Sequence, residues 1–272
     1  MSDNPEPLGP AEVIPIVSNL TVDDNTFIVG GQATNLWAWY YRDKVQYLRD
    51  EGPFTSQDID YFGGLDVAQK LAEAINGRVL KPSRDTMNSP NTAIVEVVID
   101  GRYIRIDFLD KLLGISKRDI ERGASVLAIG ADVGGTPVIV EVPIMHPLLC
   151  LKSRIANIMH PATKRRDATA MRQLQASYHV SEAYIDHALR DGDHREATDF
   201  LLGTFNYLRS DQFGRHAHNE VPIDPLGIMN RFISDERIDP RYRERALARQ
   251  IEIIKEARVG RNDRQAQLLR PN

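Results

Sequence analysis

Long apolar runs are missing from this chain of 272 residues, and no stretch approaches the roughly 20 residues that a bilayer-spanning helix needs. Cysteine is nearly absent too. The single Cys150 excludes an internal disulfide, and its place among Leu148, Leu149 and Leu151 points to a buried structural thiol rather than a nucleophile. There is no basic excess: 34 Lys and Arg against 38 Asp and Glu give a net charge of −4 and a pI of about 6.0, which argues against a general nucleic-acid binder. Any such binding has to come from local patches. No fixed-period repeat is present. The glycine-rich Gly134-Gly135-Thr136 lacks the Gly-Lys-Ser/Thr of a phosphate-binding P-loop and is expected to be a hairpin turn. The N-terminus, Met-Ser-Asp-Asn-Pro-Glu-Pro, is acidic and proline-rich, unlike a secretory signal, so a cytoplasmic protein without membrane attachment is expected.

What is present is an ordinary globular share of hydrophobic residues, 42%, arranged around one stretch. Phe27-Ile28-Val29 is a short apolar run that ends in Gly30-Gly31, and residues 32–49 contain no Gly or Pro. This predicts a strand, a tight turn and a helix. The two glycines then stand at a helix N-terminus, where unpaired N–H groups and the helix dipole favour phosphate. Farther on, Asp58, Asp60 and Phe62 alternate with Ile59 and Tyr61, so both carboxylates project from one face of a strand. Like charges this close repel unless something positive compensates them. Magnesium fits, since it takes oxygen ligands and often combines one or two carboxylates with substrate phosphates.

A third acid follows from a hairpin. Residues 93–99 and 103–109 are β-rich runs joined by Asp100-Gly101, a strong hairpin signal. In the second run Tyr103, Arg105, Asp107 and Leu109 share a face opposite Ile104, Ile106 and Phe108. If that strand lies beside the Asp58/Asp60 strand, three carboxylates converge, enough to hold two metal ions for an in-line displacement at phosphorus.

Gly-Gly at a strand end, a helix, an Asp-x-Asp flanked by apolar residues and a later strand with one more Asp together resemble the DNA polymerase β-like nucleotidyltransferase superfamily. Within it the chain is similar to the AbiEii-type group, which includes toxins of type IV toxin-antitoxin systems. Leu149-Cys150-Leu151-Lys152 and Lys164-Arg165-Arg166-Asp167 resemble that group's downstream motifs. The resemblance covers roughly residues 20–175. It implies a magnesium-dependent transfer of a nucleoside monophosphate from an NTP to an acceptor hydroxyl, in toxin relatives the end of a tRNA, with a cognate antitoxin as a partner to look for. It also implies roles: Gly30, Gly31, Lys152 and Arg166 for the nucleotide, Asp58, Asp60 and Asp107 for metal, and these three acids with Lys152 and Asp167 for catalysis. Two departures keep a catalytically inactive binding or partner protein open. The Gly31 to Asp58 interval is longer than usual, and Thr55-Ser56-Gln57 stands where relatives often carry a basic residue.

Fold class follows as α/β (α+β), a small mixed sheet with nucleotidyltransferase-like topology followed by a helical C-terminal part. The expected layout is a flexible segment 1–20, a nucleotidyltransferase-like domain 21–145 and a helical domain 146–272, unless those helices pack straight onto the sheet. Helices are expected over 65–76 (burying Val67, Leu71, Ala74 and Ile75), 148–159, 165–177, 181–190, 196–208 (burying Ala197, Phe200, Leu201, Thr204, Phe205 and Leu208) and 242–259 (burying Ala246, Ile251, Ile254 and Ala257). Residues 213–224 read as a polar connection. Arg154 and Arg172 are expected, with the 164–166 basic run, to line a wall facing a polyanionic acceptor. The bland alternatives are a snorkelling lysine for Lys152 and a helix first-turn acid for Asp167.

Overall fold

The structure, a computed structural model, describes residues 8, 10–54, 56, 58–81, 90–99, 101–133, 136–163 and 165–268. Thr55, Gln57, Asp100, Gly134, Gly135, Lys164 and the first seven residues lie outside the described residues. The chain divides into two compact units: residues up to Arg154 with Asp167–Val180, and Ile155–Arg166 with the chain from Ser181 onward.

In chain order the elements are α1 (Pro10–Val17), β1 (Phe27–Val29), α2 (Gly30–Tyr41), α3 (Gln46–Asp50), β2 (Ile59–Phe62), α4 (Leu65–Ala74), β3 (Arg78–Leu80), β4 (Asn91–Ile99), β5 (Arg102–Leu109), α5 (Lys117–Arg122), β6 (Ala124–Val133) and β7 (Thr136–Met145). These are followed by α6 (Pro147–Met159), α7 (Ala168–Arg190), α8 (His194–Ser210), α9 (Ala217–Glu220), α10 (Leu226–Phe232) and α11 (Ala248–Leu268). This is the expected class, an α/β fold with a mixed sheet and a helical C-terminal part.

The first unit is built on a seven-stranded sheet in the order β3-β4-β5-β2-β1-β7-β6. β2 pairs parallel with β5 and β1 parallel with β7; the remaining neighbours are antiparallel. Alternation sets the faces. Ile59 and Tyr61 of β2 and Ile104, Ile106 and Phe108 of β5 are buried on one side, and the Tyr61 and Phe108 rings stack at 5.3 Å. α4 lends Ala68, Leu71 and Ala72 to the core. The expected face was off by about one residue, because positions 68, 71, 72 and 75 form the i, i+3, i+4, i+7 stripe and Ala74 points to solvent. On α2, buried Trp37 donates Nε1–H to Met145 O at 2.9 Å, tying that helix to β7.

Three differences from the sequence reading have physical causes. The segment before residue 20 contains a helix, α1, despite Pro15, because Val13, Ile16, Val17 and Leu20 are buried. The helix after the glycines begins at Gly30 and ends at Tyr41, with Val45 extended before α3. And α7 runs unbroken through Ser181, expected as a cap. Ser177 and Ser181 are buried, and Ser177 Oγ–H bonds back to Leu174 O at 2.8 Å, a local bond that lets serine stay inside a helix.

In the second unit the expected stripe of α8 is buried throughout, joined by Tyr207, and the helix is capped by Asp193, whose Oδ1 accepts Glu196 N–H at 3.0 Å. The region read as a polar connection buries Phe213, Ala217 and Val221, and α10 adds Leu226, Ile228, Met229 and Phe232. A π-helical stretch, Tyr242–Leu247, precedes α11 and puts Leu247 in the core where Ala246 was expected. One extra residue per turn shifts the buried face by one position. Arg258 closes this unit with a two-pronged ion pair to Asp224, 2.7 and 2.8 Å.

Among the described residues Tyr61 carries a fully buried hydroxyl with no hydrogen-bond partner, and burial pushes its ionisation far above the ordinary phenol range. An unmet buried hydroxyl costs about 1–3 kcal/mol. Tyr61→Phe is therefore expected to stabilise the protein by about 1 kcal/mol. Urea denaturation is the check, and a midpoint below that of the parent would refute this account.

Candidate active site

The site is assembled by backbone register. β1 and β2 run antiparallel with Val29 opposite Asp60, and β2 lies parallel to β5 with Asp60 opposite Asp107. Adjacent strands are about 4.8 Å apart, so the two half-buried carboxylates stand side by side on the face opposite the stacked Tyr61 and Phe108. Asp58 is exposed at the bend just before β2.

Gly30 is needed at its position for two reasons. It adopts φ +67°, and a Cβ there would lie 2.1 Å from Asp60 Oδ2. The Asp60 carboxylate thus fills the space that a side chain at position 30 would take, at the first turn of α2, where the helix dipole favours a negative charge. Gly31 is crowded in the same way: its missing Cβ would lie 2.8 Å from Ser56 Oγ and 3.1 Å from Gln173 Nε2.

Asp107 is held differently. Its Oδ1 accepts hydrogen bonds from Arg105 Nε at 3.1 Å, Arg105 Nη2 at 3.0 Å and Asn91 Nδ2 at 3.0 Å. Burial raises its pKa above the ordinary carboxylate value; the Arg105 hydrogen bond and charge act against that rise, and the charge of Asp58 adds to it. The compensating positive group expected beside these acids is thus present within the chain as Arg105.

Asp60 and Asp107 are the oxygen donors that magnesium takes, and two carboxylates completed by substrate phosphates are a common arrangement for it. The pair fits that ion. Among the described residues no three His, Cys, Asp or Glu side chains are grouped closely enough to hold a metal ion, so Asp58, Asp60 and Asp107 do not form a closed three-ligand cluster.

Lys152 lies on α6, half-buried between buried Leu151 and Ser153. Asp167 caps α7, its Oδ1 accepting Ala170 N–H at 2.9 Å. Arg166 belongs to the second unit and pairs with Glu220 at 2.9 Å. Arg154, expected to line the cleft wall facing a polyanionic acceptor, is instead buried and donates to Gln173 Oε1 at 2.8 Å, because an enclosed guanidinium must find acceptors. Arg172 donates to Glu51 O and lies 5.6 Å over the Phe54 ring. Cys150 is buried, and burial pushes its thiol up to about 12, as a structural cysteine requires.

Sequence reasoning missed the groups around the carboxylates. Arg105 carried a signal, since it shares a strand face with Asp107 two residues on. Asn91 carried none, because a register shift between Asn91 and Ala93 sets its position. Gln32 looked like any helical residue, yet it is fully buried and donates to Ser56 O at 3.1 Å and Leu8 O at 3.3 Å, fixing the approach to β2.

No protein-family model matches this sequence. No curated protein matches it either. Among solved structures, the chain is similar to an antigenic nucleotidyltransferase-like protein from Paracoccidioides brasiliensis, with a TM-score of 0.39 and 13% identity over 71% of this chain and 94% of that one. A likeness that distant fixes neither activity nor substrate. Among the described residues no helix is long and apolar enough to cross a membrane.

Gly30→Ala tests the seating of Asp60. A left-handed alanine alone costs about 1–2 kcal/mol, and Gly101, at φ +78° with nothing within 4 Å of a built Cβ, isolates that term. Gly30→Ala is expected to lower thermal stability clearly more than Gly101→Ala. Equal losses would show that Asp60 does not need the space.

Proposed function

We propose that the chain is a magnesium-dependent nucleotidyltransferase that moves a nucleoside monophosphate from an NTP to an acceptor hydroxyl. One observation carries this reading: Asp60 and Asp107 face each other across adjacent parallel strands, with the Asp60 carboxylate seated on Gly30 at the start of α2. Asp60 and Asp107 are the residues that would hold the metal, with Asp58 at the open side. When bound, magnesium supplies charge neutralisation at the transferring phosphoryl group.

The chain's own groups do the rest. Gly30 and Gly31 enter as nucleotide residues through the family resemblance, the N–H end of α2 being the place where the Asp60 carboxylate is already seated. Asp107 would also help deprotonate the attacking hydroxyl. Lys152 offsets charge on the departing pyrophosphate. Arg166 and Asp167 enter this reading through the family resemblance alone. The same resemblance directs the acceptor to the hydroxyl end of an RNA, tRNA first, and makes a toxin role with a cognate antitoxin the biological setting to test.

The decisive experiment incubates purified protein with magnesium, each labelled NTP in turn and total cellular RNA, and resolves products by size. Transfer of label from one NTP to a discrete RNA is expected. Asp60→Asn keeps the side-chain shape and removes the charge, so it should reduce transfer by roughly 10²-fold or more with thermal stability retained. Undiminished transfer in this variant would remove Asp60 from catalysis. No label transfer by the parent, joined to no magnesium-dependent NTP binding in calorimetry, would assign the chain to an inactive binding fold.

A further inference from the structure

The Arg105 guanidinium is bound to Asp107, one of the two acids that would hold a divalent cation. It engages Asp107 Oδ1 through both Nε and Nη2, at 3.1 and 3.0 Å. The two side chains differ in exposure: that of Asp107 is 14% accessible and that of Arg105 44%. The carboxylate is therefore fixed in the fold, while the arginine reaches it from the solvent side along the open face of β5. Asp58, the exposed acid of the site, also acts electrostatically on Arg105, so one cation serves two of the three acids.

Two N–H groups of Arg105 and one of Asn91 already fill Asp107 Oδ1, and a cation on either oxygen of that carboxylate meets the positive guanidinium a few ångströms away, where like charges repel. Arg105 has somewhere else to go. Glu96 of β4 is its cross-strand partner in register and already accepts the Tyr103 hydroxyl on the same face. A guanidinium leaving Asp107 meets a carboxylate directly across the strand pair, close enough for a cross-strand ion pair.

We infer that Arg105 is a displaceable internal counter-ion of the carboxylate site, holding Asp107 until a divalent cation takes its place and so setting the cation concentration at which the site fills. This rests on the metal-binding part of the proposed function and adds a residue that competes with the metal. No covalent step is involved: two N–H hydrogen bonds to Asp107 are exchanged for a metal–oxygen contact, and the guanidinium keeps its proton and charge throughout.

The test is direct binding of Mn²⁺, without nucleotide, to the full chain, read by calorimetry and by the spin-resonance signal of free Mn²⁺. Arg105→Gln is expected to bind Mn²⁺ about tenfold more tightly than the parent, from relief of charge repulsion and loss of the competing pair. Arg105→Lys keeps the charge without the two-pronged fork and should fall between them. Asp107→Asn should bind more weakly than the parent. Thermal melts of all three establish that they are folded. If Arg105→Gln binds Mn²⁺ no more tightly than the parent while Asp107→Asn weakens binding, the counter-ion inference is wrong and the metal site stands. If neither the parent nor Arg105→Gln binds Mn²⁺ saturably, the metal site fails and the inference with it.

Discussion

The candidate site depends on the parallel pairing of β2 with β5. Its register is set by the buried face, where Ile59 aligns with Ile106 and Tyr61 with Phe108. A slip of β2 by one residue would turn Ile59 and Tyr61 to the open face and drive Asp60 into the core, away from Asp107. The hydrophobic effect thus positions two acids beside each other without any direct attraction between them. Their repulsion is met locally by two unlike devices, a helix start for Asp60 and a guanidinium with an amide for Asp107. The carboxylates are consequently not equivalent: Asp60 is seated against the main chain, and Asp107 is held by the side chains of Arg105 and Asn91.

Around this pairing the first unit supplies a polar frame that is almost wholly enclosed. Gln32 ties the chain at Ser56 and Leu8 to α2, and Arg154 reaches Gln173, whose amide lies against Gly31. Each of these links joins segments distant in sequence at the turn that opens α2. Removing one partner would strand a buried donor or acceptor, the costly way to lose a hydrogen bond. The Gly-Gly turn is therefore packed against the Gln173 side chain of α7, itself held by Arg154 of α6, while its glycines supply only the conformation and the space.

Those parts of the fold that follow a period were legible in the sequence. The buried stripe of α8, the alternation of β5 and the shared face of Tyr103, Arg105 and Asp107 all come from spacings of 3.6 or 2 residues, which any chain must obey. What was not legible depends on partners far along the chain. Ser181 reads as a cap until burial makes it an internal helix residue, and Arg154 reads as part of a basic wall for a polyanionic acceptor until Gln173 is known to accept from it. Within the site the three acids stood out because charge in an apolar strand is conspicuous. Gln32 and Asn91 did not, since their roles come from register and enclosure rather than residue type.

The same β2–β5 pairing has a consequence for how the protein is made. These neighbours in space are separated in sequence by α4, β3 and β4, and pairing over such an interval is slow compared with hairpin or helix formation, because the chain loses loop entropy before it gains contacts. β1 with α2, and the β4–β5 hairpin, can form early from local contacts; the first carries none of the three acids and the second only Asp107. A nascent or truncated chain ending before Asp107 therefore holds Asp58 and Asp60 without their partner, and the carboxylate pair is complete only when the central strands close.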